Sequence, residues 1–97
     1  MFKELVFYLD STESGSMFPN LSESGNIYAM TSSNATQYSY PTFCGSQAYV
    51  GGRNIGACLA DLFSINWMLD TEAADVASET LATQHANVKA KTDKSPV

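Results

Sequence analysis

Hydrophobic and polar positions divide the chain into a few segments. Glu4 to Asp10 (ELVFYLD) is a continuous apolar run closed by a carboxylate. Aromatic and branched residues in so short a run predict a strand buried on both faces. Ser11 to Glu23 is polar, holds Pro19 and predicts a loop with room for one helical turn. Asn26 to Ser33 (NIYAMTSS) puts Ile27, Ala29 and Thr31 on one side and Tyr28 and Met30 on the other. It predicts a second buried strand. Asn34 to Ile55 is rich in Ser, Thr, Tyr, Gly and Asn and sustains no period. A loop of that length is uncommon unless it serves a function or moves. Ala60 to Leu69 (ADLFSINWML) fits a third strand. Leu62, Ser64, Asn66 and Met68 share one face of it, and Phe63, Ile65, Trp67 and Leu69 the more apolar one. Asp70-Thr71-Glu72 then has the character of a helix start, with Thr71 as the cap. Ala74, Ala77, Leu81, Gln84 and Val88 follow at helical spacing, to an end near Lys89 or Lys91. Lys91 to Val97 is expected to fray.

Three strands joined by long connections and one C-terminal helix describe an α/β layout. A single helix covers one sheet face only. The other face would stay open to water, and an exposed apolar face of that size implies a missing partner. The expectation is that residues 1–97 are the second half of a larger α/β domain. The alternative is a free-standing α+β domain with looser packing.

Charge removes some function classes. The 97 residues carry five cations and ten carboxylates, a net charge of −5. Four of the cations (Lys3, Lys89, Lys91 and Lys94) lie near the ends, which leaves no basic stripe for nucleic acid. No apolar stretch reaches the roughly 18 residues of a membrane span. The apolar start is short and closed by Asp10, a strand rather than a signal peptide. Cys44 and Cys58 lack metal-ligand spacing and the chain has one histidine, so neither metal nor cofactor is expected. Two unpaired buried thiols are the expected state of these cysteines. One disulfide is the alternative in an oxidising compartment.

In open α/β sheets, ligands bind beyond the carboxyl ends of the strands. The first strand ends there in Asp10-Ser11-Thr12-Glu13-Ser14-Gly15-Ser16. On composition alone this is a capping loop. Val6 to Met17 (VFYLDSTESGSM), however, resembles the nucleophile strand and turn of the legumains, the asparaginyl endopeptidases, which typically read Glu-Ala-Cys-Glu-Ser-Gly-Ser-Met after an apolar strand. Asn26 to Thr31 is similar to that family's next strand. Asp61 to Met68 (DLFSINWM) resembles its last sheet strand, where Ser-Val-Asn-Trp-Met is typical. Glu79-Thr80-Leu81 and Gln84 to Lys89 resemble its final helix. Several matches in one colinear order are far more specific than a lone short motif.

The resemblance implies a caspase-like fold, a mostly parallel sheet flanked by helices, with only its second half in this chain. It implies cysteine-type cleavage after asparagine. The family's catalytic histidine lies upstream of the nucleophile strand, so the missing first half or another chain is the expected partner, and a peptide the expected substrate or ligand. By the same matching, Glu13, Ser39 and Asp61 form part of the asparagine pocket. A carboxamide offers two N–H donors and one acceptor. Carboxylates would accept the former, and an arginine from the first half would donate to the latter.

Thr12 stands where the family has its cysteine. A thiol ionises near pH 8.5 and a neighbouring histidine can make it a thiolate, whereas a threonine hydroxyl is far less acidic. Threonine nucleophiles use their own N-terminal amine, and Thr12 is internal. The expectation is an inactive peptidase, or a non-catalytic peptide-binding or scaffold module derived from one. Tyr38 replaces a usual second serine, and the segment from Gly45 to Cys58 departs most from the family. The related lipid-anchor transamidases fit less well at the Glu-Ser-Gly-Ser-Met turn.

His85 falls mid-helix, away from the strand ends, and reads as a surface or packing residue. Trp67 reads as core. The glycine-rich Gly51 to Gly56 lacks the Lys-Ser/Thr of a phosphate loop. Asn20-Leu21-Ser22 and Asn34-Ala35-Thr36 are glycosylation acceptors in a secretory lumen, and fit a lysosomal, vacuolar or secreted protein.

Overall fold

A computed structural model describes residues 2–23 and 25–97. The apolar runs at the start form β1 (Leu5–Leu9) and β2 (Ile27–Thr31). They pair in parallel, with Leu5 opposite Ile27 and Leu9 opposite Thr31. Their crossover holds one 3-10 turn, Ser14–Met17. Four two-residue strands follow: β3 (Pro41–Thr42), β4 (Tyr49–Val50), β5 (Arg53–Asn54) and β6 (Ala60–Asp61). β3 pairs antiparallel with β6, and β4 with β5. The β4–β5 hairpin turns at Gly51 and Gly52, both at positive φ, the backbone a two-residue hairpin loop requires. Two helices complete the chain, α1 (Leu62–Ala73) and α2 (Leu81–Lys91). Among the described residues the result is a mixed α/β arrangement of two helices and three small sheets.

The core lies between the parallel strands and the helices. Met30 of β2, Phe63 of α1 and Val88 of α2 bury together, flanked by Tyr8, Tyr28, Trp67 and Val97. The Trp67 ring meets Tyr8 edge-on at 5.4 Å. Polar bonds lock the helix pair: Asn66 Nδ2 donates to Thr92 Oγ1 at 3.1 Å, and Lys91 Nζ lies 3.8 Å from Asp70 Oδ1. Both helices cover the same sheet face. On the other face Phe18, from the crossover, meets Phe7 at 5.7 Å between ring centroids. Phe7 stays 45% exposed and Ile27 38%. The open face that the strand pattern predicts is present. The radius of gyration, 15.3 Å, exceeds the roughly 12.5 Å of a compact domain of this length, and the extents of 50 × 33 × 27 Å show an elongated shape.

Several sequence expectations fail. Residues 60–69 are not a third strand, since all but the first two lie in α1. The buried positions Phe63, Asn66 and Asp70, with half-buried Trp67, trace one helical face. Thr71 is not a cap but an interior residue whose Oγ1 donates back to Trp67 O at 2.9 Å. The expected single helix is two. Asp75 breaks it by accepting Ala77 N–H at 3.1 Å and Ser78 Oγ at 3.0 Å, an Asx turn. Thr80 then caps α2, accepting Thr83 N–H at 3.1 Å. Lys89 and Lys91 do occupy the last turn of α2. Residues 92–97 do not fray: Thr92 and Ser95 are buried and Val97 packs on the core. Cys44 and Cys58 are neither free nor buried. They form a disulfide, Cα–Cα 4.2 Å, that closes the loop carrying the β4–β5 hairpin.

Phe63 is the largest side chain of this small core. Phe63→Ala in the full-length protein is expected to lower the free energy of urea unfolding by about 3–5 kcal/mol. A loss below about 1 kcal/mol would show that the core lies elsewhere.

Candidate active site

The turn after β1 is held by side chains rather than by a helix. Past Leu9 the β1–β2 pairing continues for one bond, Ser32 N–H to Leu9 O at 3.0 Å. Then hydroxyls take over. Ser32 Oγ accepts Ser11 N–H at 3.0 Å, Ser33 Oγ donates to Ser11 O at 2.9 Å, and Ser33 Oγ accepts Ser14 N–H at 3.1 Å. Ser14 Oγ closes the cluster by donating to Ser33 O at 3.2 Å. Ser14, Ser32 and Ser33 are buried, so each hydroxyl needs these partners. Gly15 lies against the same segment. A Cβ there would sit 2.8 Å from the Asn34 carbonyl carbon, so only glycine fits.

This frame projects Thr12 and Glu13 into solvent. Glu13 adopts φ 56°, ψ 25°, a left-handed conformation uncommon outside glycine and typical of strained functional turns. Its N–H donates to Gln37 O at 2.9 Å, which brings the 37–41 segment alongside. Among the described residues, no hydrogen bond takes up the Thr12 N–H or Oγ1.

Ser39 lies on that neighbouring segment, and its Oγ donates to Asp10 Oδ1 at 2.9 Å. Ser64, in the first turn of α1, donates to Asp10 Oδ2. Two residues beyond Ser39, Pro41 faces Asp61 across the β3–β6 ladder. Leu62 N–H donates to Tyr40 O at 2.9 Å and fixes the start of α1 against the same segment. Asp61 precedes α1 without capping it through its side chain. The residue is exposed, yet its carboxyl is partly desolvated. That desolvation raises its proton affinity above the ordinary carboxylate value, and the negative charge of Asp10 adds to the effect.

Thr12, Glu13, Ser39 and Asp61 therefore lie on adjoining segments at the carboxyl end of β1. Asp10 bonds Ser39 directly and acts on Asp61 electrostatically. No bond joins Thr12 or Glu13 side chains to the other two among the described residues. His85 sits in α2, half-buried, and among the described residues no hydrogen bond joins it to this turn. Sequence reasoning missed Asp10 and Ser64. The signal available was a carboxylate closing an apolar strand, three charged or hydroxyl residues before the turn's end. No group of residues able to hold a metal occurs among those described.

A model of the Peptidase C13 family matches residues 1–97. A Schistosoma mansoni protein named hemoglobinase is 42% identical over 97 residues, covering 99% of this chain and 21% of its own length. A Citrus sinensis vacuolar-processing enzyme is 44% identical over 92 residues, 94% of this chain and 19% of its own. Mouse legumain is 36% identical over 97 residues, 100% of this chain and 21% of its own. The chain spans about a fifth of the length of these relatives. It belongs to the peptidase C13 family, the legumain family of cysteine endopeptidases.

Two outcomes follow from the geometry. Gly15→Ala drives a methyl into backbone and is expected to cost about 1–3 kcal/mol of stability, read as a lowered thermal midpoint. A carboxyl whose proton affinity is raised by folding loses stability as pH rises above its unfolded value, because the folded state holds the proton longer. Removing the Asp10 charge with Asp10→Asn should therefore shift the Asp61 titration, followed by carboxyl NMR, to lower pH. The shift should be partial, because desolvation is the larger cause. An unmoved titration would mean that Asp10 does not act on Asp61.

Proposed function

We propose that residues 1–97 form the second half of a caspase-like, legumain-type peptidase domain with an asparagine pocket, and that Thr12 in the nucleophile position blocks turnover. The observation that carries this reading is the exposed Thr12–Glu13 turn at the carboxyl end of a parallel strand, with Asp10, Ser39 and Asp61 on the segments beside it. Open α/β sheets bind ligands at that end. The uncovered face of β1 and β2 supports a domain completed by further sheet and helix from outside these residues.

The family chemistry is acyl transfer. A cysteine thiolate attacks the carbonyl after asparagine, a histidine moves the proton to the leaving amine, and backbone N–H groups hold the oxyanion. The uncommitted Thr12 N–H is one such donor. The histidine would come from outside residues 1–97, since His85 is half-buried in α2. The Thr12 hydroxyl is too weak an acid to replace a thiolate. Glu13, Ser39 and Asp61 are the pocket residues of this proposal, accepting the two carboxamide N–H bonds, while an external arginine would donate to the carboxamide oxygen. A pocket so built disfavours apolar side chains, which leave buried polar groups unpaired.

The same threonine favours a second reading, a non-catalytic peptide-binding or scaffold module. A vacuolar or lysosomal location accords with the names vacuolar-processing enzyme and legumain among the relatives. The Cys44–Cys58 disulfide accords with an oxidising lumen.

Cleavage of an asparaginyl peptide by the full-length protein discriminates. No turnover is expected with Thr12, and turnover after asparagine is expected with Thr12→Cys. Turnover by the threonine form overturns the inactive reading. If neither form cleaves but peptide binding is lost in Glu13→Ala and Asp61→Ala, the binding module is supported. Binding that survives both substitutions favours a scaffold.

A further inference from the structure

We propose that Asn34 is an N-glycosylation site and that its glycan stands beside the Thr12–Glu13 turn, screening it from folded proteins while admitting short peptides. This rests on the lumenal location and the peptide site proposed above.

An acceptor asparagine needs a hydroxyl two residues on, a middle residue other than proline, and exposure. Asn34, Ala35 and Thr36 meet all three conditions. The fold also brings the hydroxyl to the carboxamide. Asn34 Oδ1 accepts Thr36 N–H at 3.0 Å and lies 3.5 Å from Thr36 Oγ1, an Asx turn. The carboxamide nitrogen carries two hydrogens, and one of them is engaged by Gln37 Oε1. The other is the one replaced. Asn34 Nδ2 bonds to the anomeric carbon of an oligosaccharide carried on a lipid diphosphate in the lumen. The bond from that carbon to the diphosphate oxygen breaks, the lipid diphosphate leaves, and Nδ2 gives up a proton.

The acceptor is rooted on the turn itself. On one side of Asn34, Ser33 O accepts Gly15 N–H at 3.0 Å, and on the other, Gln37 O accepts Glu13 N–H at 2.9 Å. A Cβ on Gly15 would sit 2.8 Å from the Asn34 carbonyl carbon, so backbone packs directly on backbone. A sugar chain on Asn34 therefore begins on the segment bonded to residues 13–15 and cannot swing away on a loose loop. N-linked glycans are bulky and hydrated. A short extended peptide passes beside one, whereas a folded protein presenting the same residues collides with it.

The test maps glycosylation on the full-length protein expressed in its own cells, using the amidase that leaves aspartate wherever a glycan was attached. Aspartate is expected at position 34, lost in Thr36→Ala and kept in Thr36→Ser. Thr36→Ala retains the backbone N–H that makes the Asx turn, so it removes the acceptor without removing the turn. Unmodified Asn34 with a glycan on Asn20, or with Cys44 and Cys58 bridged, overturns the inference and leaves the lumenal location standing. No glycan and two free thiols overturn both. Binding then tests the screen with an asparaginyl peptide, free or fused to a folded carrier. Thr36→Ala is expected to bind the fusion severalfold more tightly and the free peptide unchanged. Trimming the unsubstituted protein with an endoglycosidase, which leaves one sugar, should reproduce that gain. A fusion bound equally before and after trimming overturns the screen. A free peptide bound by no form overturns the peptide site and the screen together, while the mapping still decides Asn34.

Discussion

The parallel pairing of β1 and β2 does not stop where the backbone ladder stops. β1 turns away after Leu9, and three buried serines carry the pairing on with their hydroxyls. This substitution of side chain for main chain is what the site depends on. It lets the strand end in a sharp turn without leaving buried peptide groups unpaired, which would cost far more than the bonds return when made. It also allows Glu13 its left-handed backbone. That conformation is sustained because Ser11 and Ser14 on either side are fixed to Ser32 and Ser33.

Few apolar side chains share this work. Met30, Phe63 and Val88 form the buried cluster, and the deeply buried polar residues Ser14, Ser32, Ser33, Asn66, Asp70 and Thr92 outnumber them. Asn66–Thr92 and Asp70–Lys91 join the helices to one another alongside the apolar contact of Phe63 and Val88. The shape of the turn is therefore set by directional bonds. Such bonds fix positions closely while each adds only about 1 kcal/mol to stability.

The beginning of the chain was legible and its second half was not, for physical reasons. β1 and β2 are short, branched and aromatic, and nothing in their pattern competes with a strand. α1 misled because Leu62, Ile65, Met68 and Leu69 are apolar whichever way the segment is wound, so alternation is satisfied by accident. Its inner face also holds Asn66 and Asp70, and buried polar residues hide a helical stripe. The break between the helices turns on one side chain, Asp75, whose local bonds outcompete the helical continuation. The cysteines were misjudged because spacing carries no information about a pairing made by tertiary structure. At the site, Thr12, Glu13, Ser39 and Asp61 could be named from motif matches. Asp10 shows in the sequence only as the carboxylate closing the first strand, because its two hydroxyl partners lie 29 and 54 residues away.

The β4–β5 hairpin projects inside a ring closed by sulfur. Its tip, Gly51–Gly52, is exposed backbone without side chains, the kind of site at which proteases nick folded proteins. A cut there would not release anything, because Cys44 and Cys58 stand on opposite sides of it. The molecule would run as one species on a non-reducing gel and as two after reduction. A population that looks intact by mobility can thus contain severed chains.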